Sequence, residues 1–201
     1  MRRKLVAGNW KMNGSLGLVE AFCSRFQGSK LNVDVVIIPP YLYVPELISK
    51  KPEAFGVGVQ NLSEKLAGAY TGEVSLVMAE EMRVGFSLFG HSERRQAFFE
   101  TDQLVSEKVQ LAIKSSNVTP ILCVGETLEE RESGQEFLVI ERQIKAVLDC
   151  VSVEDLDSLI IAYEPVWAIG TGKTATPDQA QEIHAFIREL VLSYSVTAAD
   201  D

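Results

Sequence analysis

The sequence predicts an α/β protein with a parallel sheet, made of six strand-then-helix units in a single domain spanning residues 1–201. Three observations carry this. Short apolar runs alternate six times with stretches that repeat at helical spacing, the pattern of βα units joined by right-handed crossovers. The apolar runs are continuous rather than alternating, as in strands covered on both faces. No composition break, repeat or low-complexity segment divides the 201 residues, a length sufficient for one sizeable core. An open doubly wound sheet and a (β/α) barrel both satisfy these observations.

The units follow in order. Leu5-Val6-Ala7-Gly8 is the first strand. After Gly14, Leu18, Phe22 and Phe26 recur at helical spacing with Val19 and Cys23 beside them. The β-branched run Val33 to Ile38 is the second strand, stopped by Pro39-Pro40. A short helix covers about Val44 to Ser49. The third strand, Gly56 to Gln60, enters a long polar loop from Asn61 to Gly72, and a helix follows over Leu76 to Met82. The fourth strand, Phe86 to Gly90, runs straight into His91-Ser92-Glu93-Arg94-Arg95. Helix is expected again over Leu104 to Ile113. Thr119 to Val124 is the fifth strand, followed by Gly125-Glu126 and a helix over Phe137 to Leu148. Leu159 to Tyr163 is the sixth strand. The last helix starts near Pro177, with Thr176 as N-cap, Pro at N1 and Gln179 at N3.

Composition narrows the function. The chain is 46% hydrophobic and 23% charged, ordinary for a globular domain. Its formal net charge of −9 argues against nucleic-acid binding, and an anionic substrate would need a local cation. Cys23, Cys123 and Cys150 are scattered and odd in number, without metal spacing, so neither a metal site nor a disulfide framework is expected. A reduced, cytoplasmic setting fits. No apolar run is long enough to span a bilayer, and the basic start Met1-Arg2-Arg3-Lys4 is followed by too short an apolar run for a signal peptide. No G-x-G-x-x-G follows the first strand; Gly8-Asn9-Trp10-Lys11 stands there, which weakens a dinucleotide reading.

The carboxyl ends of parallel strands are where chemistry is done in such proteins. Those positions hold Asn9, Lys11, Gln60, Asn61, His91, Glu93, Glu126 and Glu164. Glu164 ends the sixth strand and is followed by Pro165 and a segment carrying Gly170 and Gly172. A base beneath a loop able to close suits proton abstraction; a solvated Glu in an ordinary connection gives the same local pattern. His91 sits where a helix begins, a place that disfavours the imidazolium and suits a neutral donor; a simple capping histidine fits equally. His184, inside the last helix, reads as a surface or packing residue. Together a cation, a neutral donor and a carboxylate on one edge could bind an anionic carbonyl compound, polarise it and remove a proton.

Longer motifs go further. Ala7-Gly8-Asn9-Trp10-Lys11-Met12-Asn13, Gly68-Ala69-Tyr70-Thr71-Gly72-Glu73, Phe89-Gly90-His91-Ser92-Glu93-Arg94-Arg95, Cys123-Val124-Gly125-Glu126 and Ala162 to Gly172 occur in that order. They resemble the first loop, dimerisation loop, electrophile segment, fifth loop and base-with-lid of the triosephosphate isomerase family. The resemblance implies interconversion of dihydroxyacetone phosphate and glyceraldehyde 3-phosphate with no metal and no cofactor. Glu164 would be the base, His91 the neutral electrophile, Lys11 the holder of phosphate and enediolate, and Asn9 a second oxyanion donor. Glu93 would orient Lys11, and Cys123 would support the site. Residues 165 to 175, with Trp167, would form the lid, and the Gly170 N–H would meet the phosphate. Thr71 would enter a partner's pocket in a homodimer or larger homo-oligomer.

A complete barrel of this kind has eight βα units and about 250 residues. This sequence holds six, and the family's seventh and eighth loops are not among its residues. The expectation is therefore an incomplete, open TIM barrel of six βα units with impaired turnover, because those loops commonly grip phosphate. The alternative is a catalytically inactive oligomeric fragment with a structural role.

Overall fold

The computed structural model describes residues 4–115 and 117–200. The basic start Met1-Arg2-Arg3 and the terminal Asp201 lie outside the described residues. Among the described residues there are six strands: β1 (Leu5–Asn9), β2 (Asp34–Ile38), β3 (Phe55–Val59), β4 (Phe86–Phe89), β5 (Thr119–Val124) and β6 (Ile160–Tyr163). The helices are α1 (Leu16–Phe26), α2 (Val44–Lys50), α3 (Leu76–Glu81), α4 (Ser92–Ala97), α5 (Asp102–Ser115), α6 (Leu128–Glu132), α7 (Glu136–Leu148), α8 (Pro177–Leu192) and α9 (Val196–Asp200). The strands hydrogen-bond in chain order, β1 to β6, and the described pairs are parallel. This is the parallel α/β arrangement of a TIM-barrel fold.

The chain forms two compact units, Met1–Leu88 with Ala112–Pro120 and Phe89–Leu111 with Ile121–Asp201. In the first, Ala7 pairs with Val36 and Val36 with Gly56. Val36, Ile38, Val57 and Val59 are buried, as are Val19 and Cys23 of α1 and Leu47 of α2. Phe22, Phe26 and Phe55 form a ring cluster with centroids 4.9 to 5.7 Å apart, and Trp10 meets Phe22 edge-on at 6.2 Å. Each such side chain contributes roughly 1.5–3 kcal/mol by leaving water. Ser15 caps α1 by accepting from Leu18 N–H, and Ser75 caps α3 by accepting from Met78 N–H.

In the second unit, Ile121 to Val124 of β5 pair with Ile160 to Tyr163 of β6. Leu122, Ile140, Ile144, Val147 and Ile183 are completely or almost completely buried. The start of α8 is the predicted capping box: Thr176 accepts from Gln179 N–H while the Gln179 side chain accepts from Thr176 N–H, with Pro177 in the first turn. Several elements were not expected. The short helices α6 and α9 and the 3-10 turns at Tyr41–Tyr43, Val153–Ser158 and Val166–Ala168 lack the length for a periodic signal, whereas the helix start expected at His91 is present as α4.

A buried ion cluster fixes the α4–α5 corner. Glu100 Oε1 accepts from Arg94 Nε at 2.8 Å and Lys108 Nζ at 2.6 Å, with the Glu100 and Lys108 side chains only 2% and 3% exposed. Burial alone raises the Glu100 carboxyl, but its bonds and charge contacts with Lys108 and Arg94 outweigh that and hold it below its ordinary range. A lowered folded pKa contributes stability that is present above the unfolded value, about 4.3, and is lost as pH falls through the folded one. Glu100→Gln is thus expected to destabilise the fold by about 3 kcal/mol at pH 7. Urea melts should show the gap to wild type shrinking below about pH 4.

Candidate active site

The first unit places Asn9 at the end of β1 and Lys11 two residues on. Asn9 Oδ1 accepts from Lys11 N–H at 2.8 Å, closing a tight turn. Lys11 has φ 52°, a left-handed conformation that costs a non-glycine residue about 1 kcal/mol or more. The turn is held from β3's end. Gln60 Nε2 donates to Lys11 O at 2.8 Å and to Ile38 O at 3.2 Å. Gln60 was legible only as a polar strand end; its bracing role depends on partners 49 and 22 residues away. In the same unit the long loop after β3 is anchored at its base by Ser63 N–H donating to Val74 O at 2.9 Å, over buried Leu62. Thr71 lies exposed near its tip, beside half-exposed Tyr70.

The second unit brings His91 and Glu164 together. His91 is the N-cap of α4, and its Nδ1 accepts from Glu93 N–H at 3.2 Å. Nδ1 is therefore the bare nitrogen. Nε2 donates to Glu164 Oε1 at 2.8 Å. The second Glu164 oxygen accepts from Ser92 N–H at 3.0 Å, a free N–H of the first helical turn. Both side chains are shielded, His91 7% and Glu164 16% exposed. The Glu93 carboxylate is 53% exposed and lies 3.7 Å from His91 Nδ1, so Glu93 serves this pair chiefly through its backbone.

Two residues the sequence did not single out set this geometry. Arg95 Nε donates to Gly90 O at 2.7 Å, Nη2 reaches Cys123 O at 3.5 Å, and Nη1 pairs with Asp102 at 2.5 Å. It ties the turn before His91 to β5 and to α5. Gln143, buried in α7, grips Gly125: its Oε1 accepts from Gly125 N–H at 2.9 Å and its Nε2 donates to Gly125 O at 3.2 Å. Gly125 in turn packs on the backbone of Glu164, whose N–H donates to Val124 O at 2.7 Å. Both contacts span long sequence separations, which local pattern reading does not register.

Cys123 is buried on β5, and its thiol is raised well above the ordinary range by burial first and by the Glu164 charge second. It stays protonated and acts through packing rather than as a nucleophile. Below it Glu126, fully buried, accepts from Arg131 Nη1 at 2.8 Å and Tyr163 O–H at 3.0 Å. Burial raises the Tyr163 phenol, and the Glu126 charge adds to it. The Arg131 guanidinium lies 4.8 Å from the ring of buried Trp167, just past Glu164-Pro165. Gly170 and Gly172 follow with φ 70° and 77°, both exposed. His184 is exposed and meets the Tyr163 ring edge-on at 5.9 Å, a packing residue as read from the sequence. Among the described residues no three His, Cys, Asp or Glu side chains gather as metal ligands would, and no helix is long and apolar enough to cross a membrane.

A donor and a carboxylate 2.8 Å apart, just past the carboxyl ends of β4 and β6 and shielded from water, have the geometry of an acid–base pair. Comparison with known proteins gives this chemistry its family. The family profile described as triosephosphate isomerase matches residues 4–201. The triosephosphate isomerase of Alcanivorax borkumensis is 48% identical over 190 residues, covering 94% of this chain and 76% of that protein. That of Phocaeicola vulgatus is 45% identical over 207 residues, covering 100% and 82%. That of Porphyromonas gingivalis is 46% identical over 196 residues, covering 95% and 78%. The chain belongs to the triosephosphate isomerase family.

Proposed function

We propose that this chain interconverts dihydroxyacetone phosphate and glyceraldehyde 3-phosphate through an enediolate, with Glu164 as base and His91 as neutral electrophile. The observation that carries the reading is the 2.8 Å bond from His91 Nε2–H to Glu164 Oε1, with Nδ1 occupied by the Glu93 N–H. In this arrangement both Glu164 oxygens are engaged, by His91 and by Ser92 N–H. The carboxylate must leave them to reach a substrate carbon, and the vacated His91 Nε2–H is then free to meet the carbonyl oxygen. Glu164 takes the C1 proton of the ketose as the O2 oxyanion forms against Nε2–H. The proton moves between O1 and O2 through the imidazole, and protonated Glu164 returns its proton to C2. Asn9 and Lys11 are assigned to the oxyanion and the phosphate, Glu93 to the orientation of Lys11, Cys123 to the packing of the site, and residues 165–175 to a lid. Trp167 would seat that lid, and the Gly170 N–H would meet phosphate. A closed lid would exclude water and strengthen the electrostatics inside.

The described residues hold six βα units, and such barrels use eight. The loops that frequently grip phosphate follow strands 7 and 8. A coupled isomerase assay tests the reading: measurable turnover of glyceraldehyde 3-phosphate supports it, and a folded protein with none leaves a structural role.

Homo-oligomerisation through the Thr71 loop belongs to the same reading. In the first unit Met12, Leu42, Tyr70, Val77 and Met78 are exposed, at 95%, 83%, 47%, 51% and 54%. These exposed apolar side chains support the reading. Light scattering at micromolar concentration should give at least a dimer, and a monodisperse monomer would contradict it.

A further inference from the structure

We propose that Glu132 is a positioning residue for the lid, holding its far end through a salt-sensitive pair with Lys173. This rests on reading residues 165–175 as a lid. The five-residue helix α6 touches that segment twice, through consecutive residues. Arg131 turns inward: Nη1 bonds buried Glu126 at 2.8 Å, and its guanidinium lies 4.8 Å from the Trp167 ring. Glu132 turns outward, and its Oε1 lies 3.4 Å from Lys173 Nζ. Trp167 and Lys173 bracket the two glycines, Gly170 and Gly172, so α6 grips the lid on both sides of its most flexible part. Between those grips Thr171 stitches the lid to itself. Thr171 Oγ1 donates to Trp167 O at 2.8 Å and accepts from Lys173 N–H at 3.2 Å.

The platform is firm. The start of α6 is a complete capping box, Thr127 accepting from Glu130 N–H while Glu130 accepts from Thr127 N–H. The two grips differ in kind. Trp167 is 6% exposed, so its contact is buried packing that salt does not screen. The Lys173 and Glu132 side chains are 49% and 66% exposed, so their attraction is weak and falls with ionic strength. The lid therefore releases from its Lys173 end first and pivots about Trp167.

Trypsin reads this without substrate, because Lys173 is itself a cleavage site and is released when the pair opens. The 201-residue protein is digested briefly under native conditions, and the Lys173–Thr174 nick is followed by mass, normalised to a peptide control at each salt. Glu132→Ala and Glu132→Gln should nick about two- to fivefold faster than wild type at low salt. Lys173→Arg, which keeps charge and cleavage, should nick as wild type. The gap should close near 0.5 M NaCl, with melting temperatures unchanged. Equal rates in wild type and both Glu132 variants would overturn the proposal, as would a gap that persists unchanged at high salt. An inactive protein still reports on this pair, so failure here is separable from failure of the isomerase reading.

Discussion

Glu164→Gln is expected to lower kcat in the coupled isomerase assay by about 10³-fold, with KM changed little. The amide matches the carboxylate in size, and its single oxygen can keep one of the two bonds that the carboxylate accepts from Ser92 N–H and His91 Nε2–H at 3.0 and 2.8 Å. The fold is kept, and the variant loses the basicity together with one of these two hydrogen bonds. A melting temperature near that of wild type should accompany the loss. Losing a transition-state interaction lowers kcat and kcat/KM together. A fall of less than about tenfold would mean that another group moves the proton.

Gly125→Ala is expected to have the largest effect of any single methyl in the site. A Cβ there would sit 1.8 Å from Glu164 O, 2.9 Å from its carbonyl carbon and 3.0 Å from Val166 Cγ2. The first two are backbone atoms, so no rotamer change relieves the clash. Either β6 moves away from the fifth loop or the Gln143 clamp on Gly125 breaks. Overpacking commonly costs about 1–3 kcal/mol, and a contact this short lies at or beyond the upper end. The displaced backbone is that of the base itself, and misplacement by about 1 Å can cost about 10²-fold in rate. Gly125→Ala should therefore lower both the urea midpoint and kcat. A variant with wild-type stability and turnover would show that β6 is not held against this glycine.

What was legible in the sequence follows from the range of the forces involved. The strand β5 was placed at its observed ends, because a six-residue apolar run between turn residues is a local signal. The start of α8 was read in atomic detail, because a capping box is written within four residues. Glu164 and His91 stood out because strand ends collect chemistry in parallel sheets. The helix α6 did not: its five residues, Leu128-Glu129-Glu130-Arg131-Glu132, are mostly charged and show no apolar face. Nor did Arg95, Gln143 or Gln60, whose hydrogen bonds reach 28, 18 and 49 residues along the chain. Polar partners at that distance leave no period in the sequence. Gly125 was visible only as part of a motif; its reason is the space against Glu164, which exists only in three dimensions.

Hydrogen exchange at substrate carbon tests the central claim most directly, because it reads the proton transfer itself even where net turnover is slow. Residues 1–201 are incubated with glyceraldehyde 3-phosphate or dihydroxyacetone phosphate in D2O, and deuterium at C1 and C2 is followed by proton NMR. Wild type should place deuterium on the carbons flanking the enediolate, faster than the enzyme-free control. Glu164→Gln should abolish the excess, and His91→Gln should reduce it by about 10²-fold. Exchange at the enzyme-free rate in wild type, or unchanged exchange in Glu164→Gln, would contradict the assignment of Glu164 as the base.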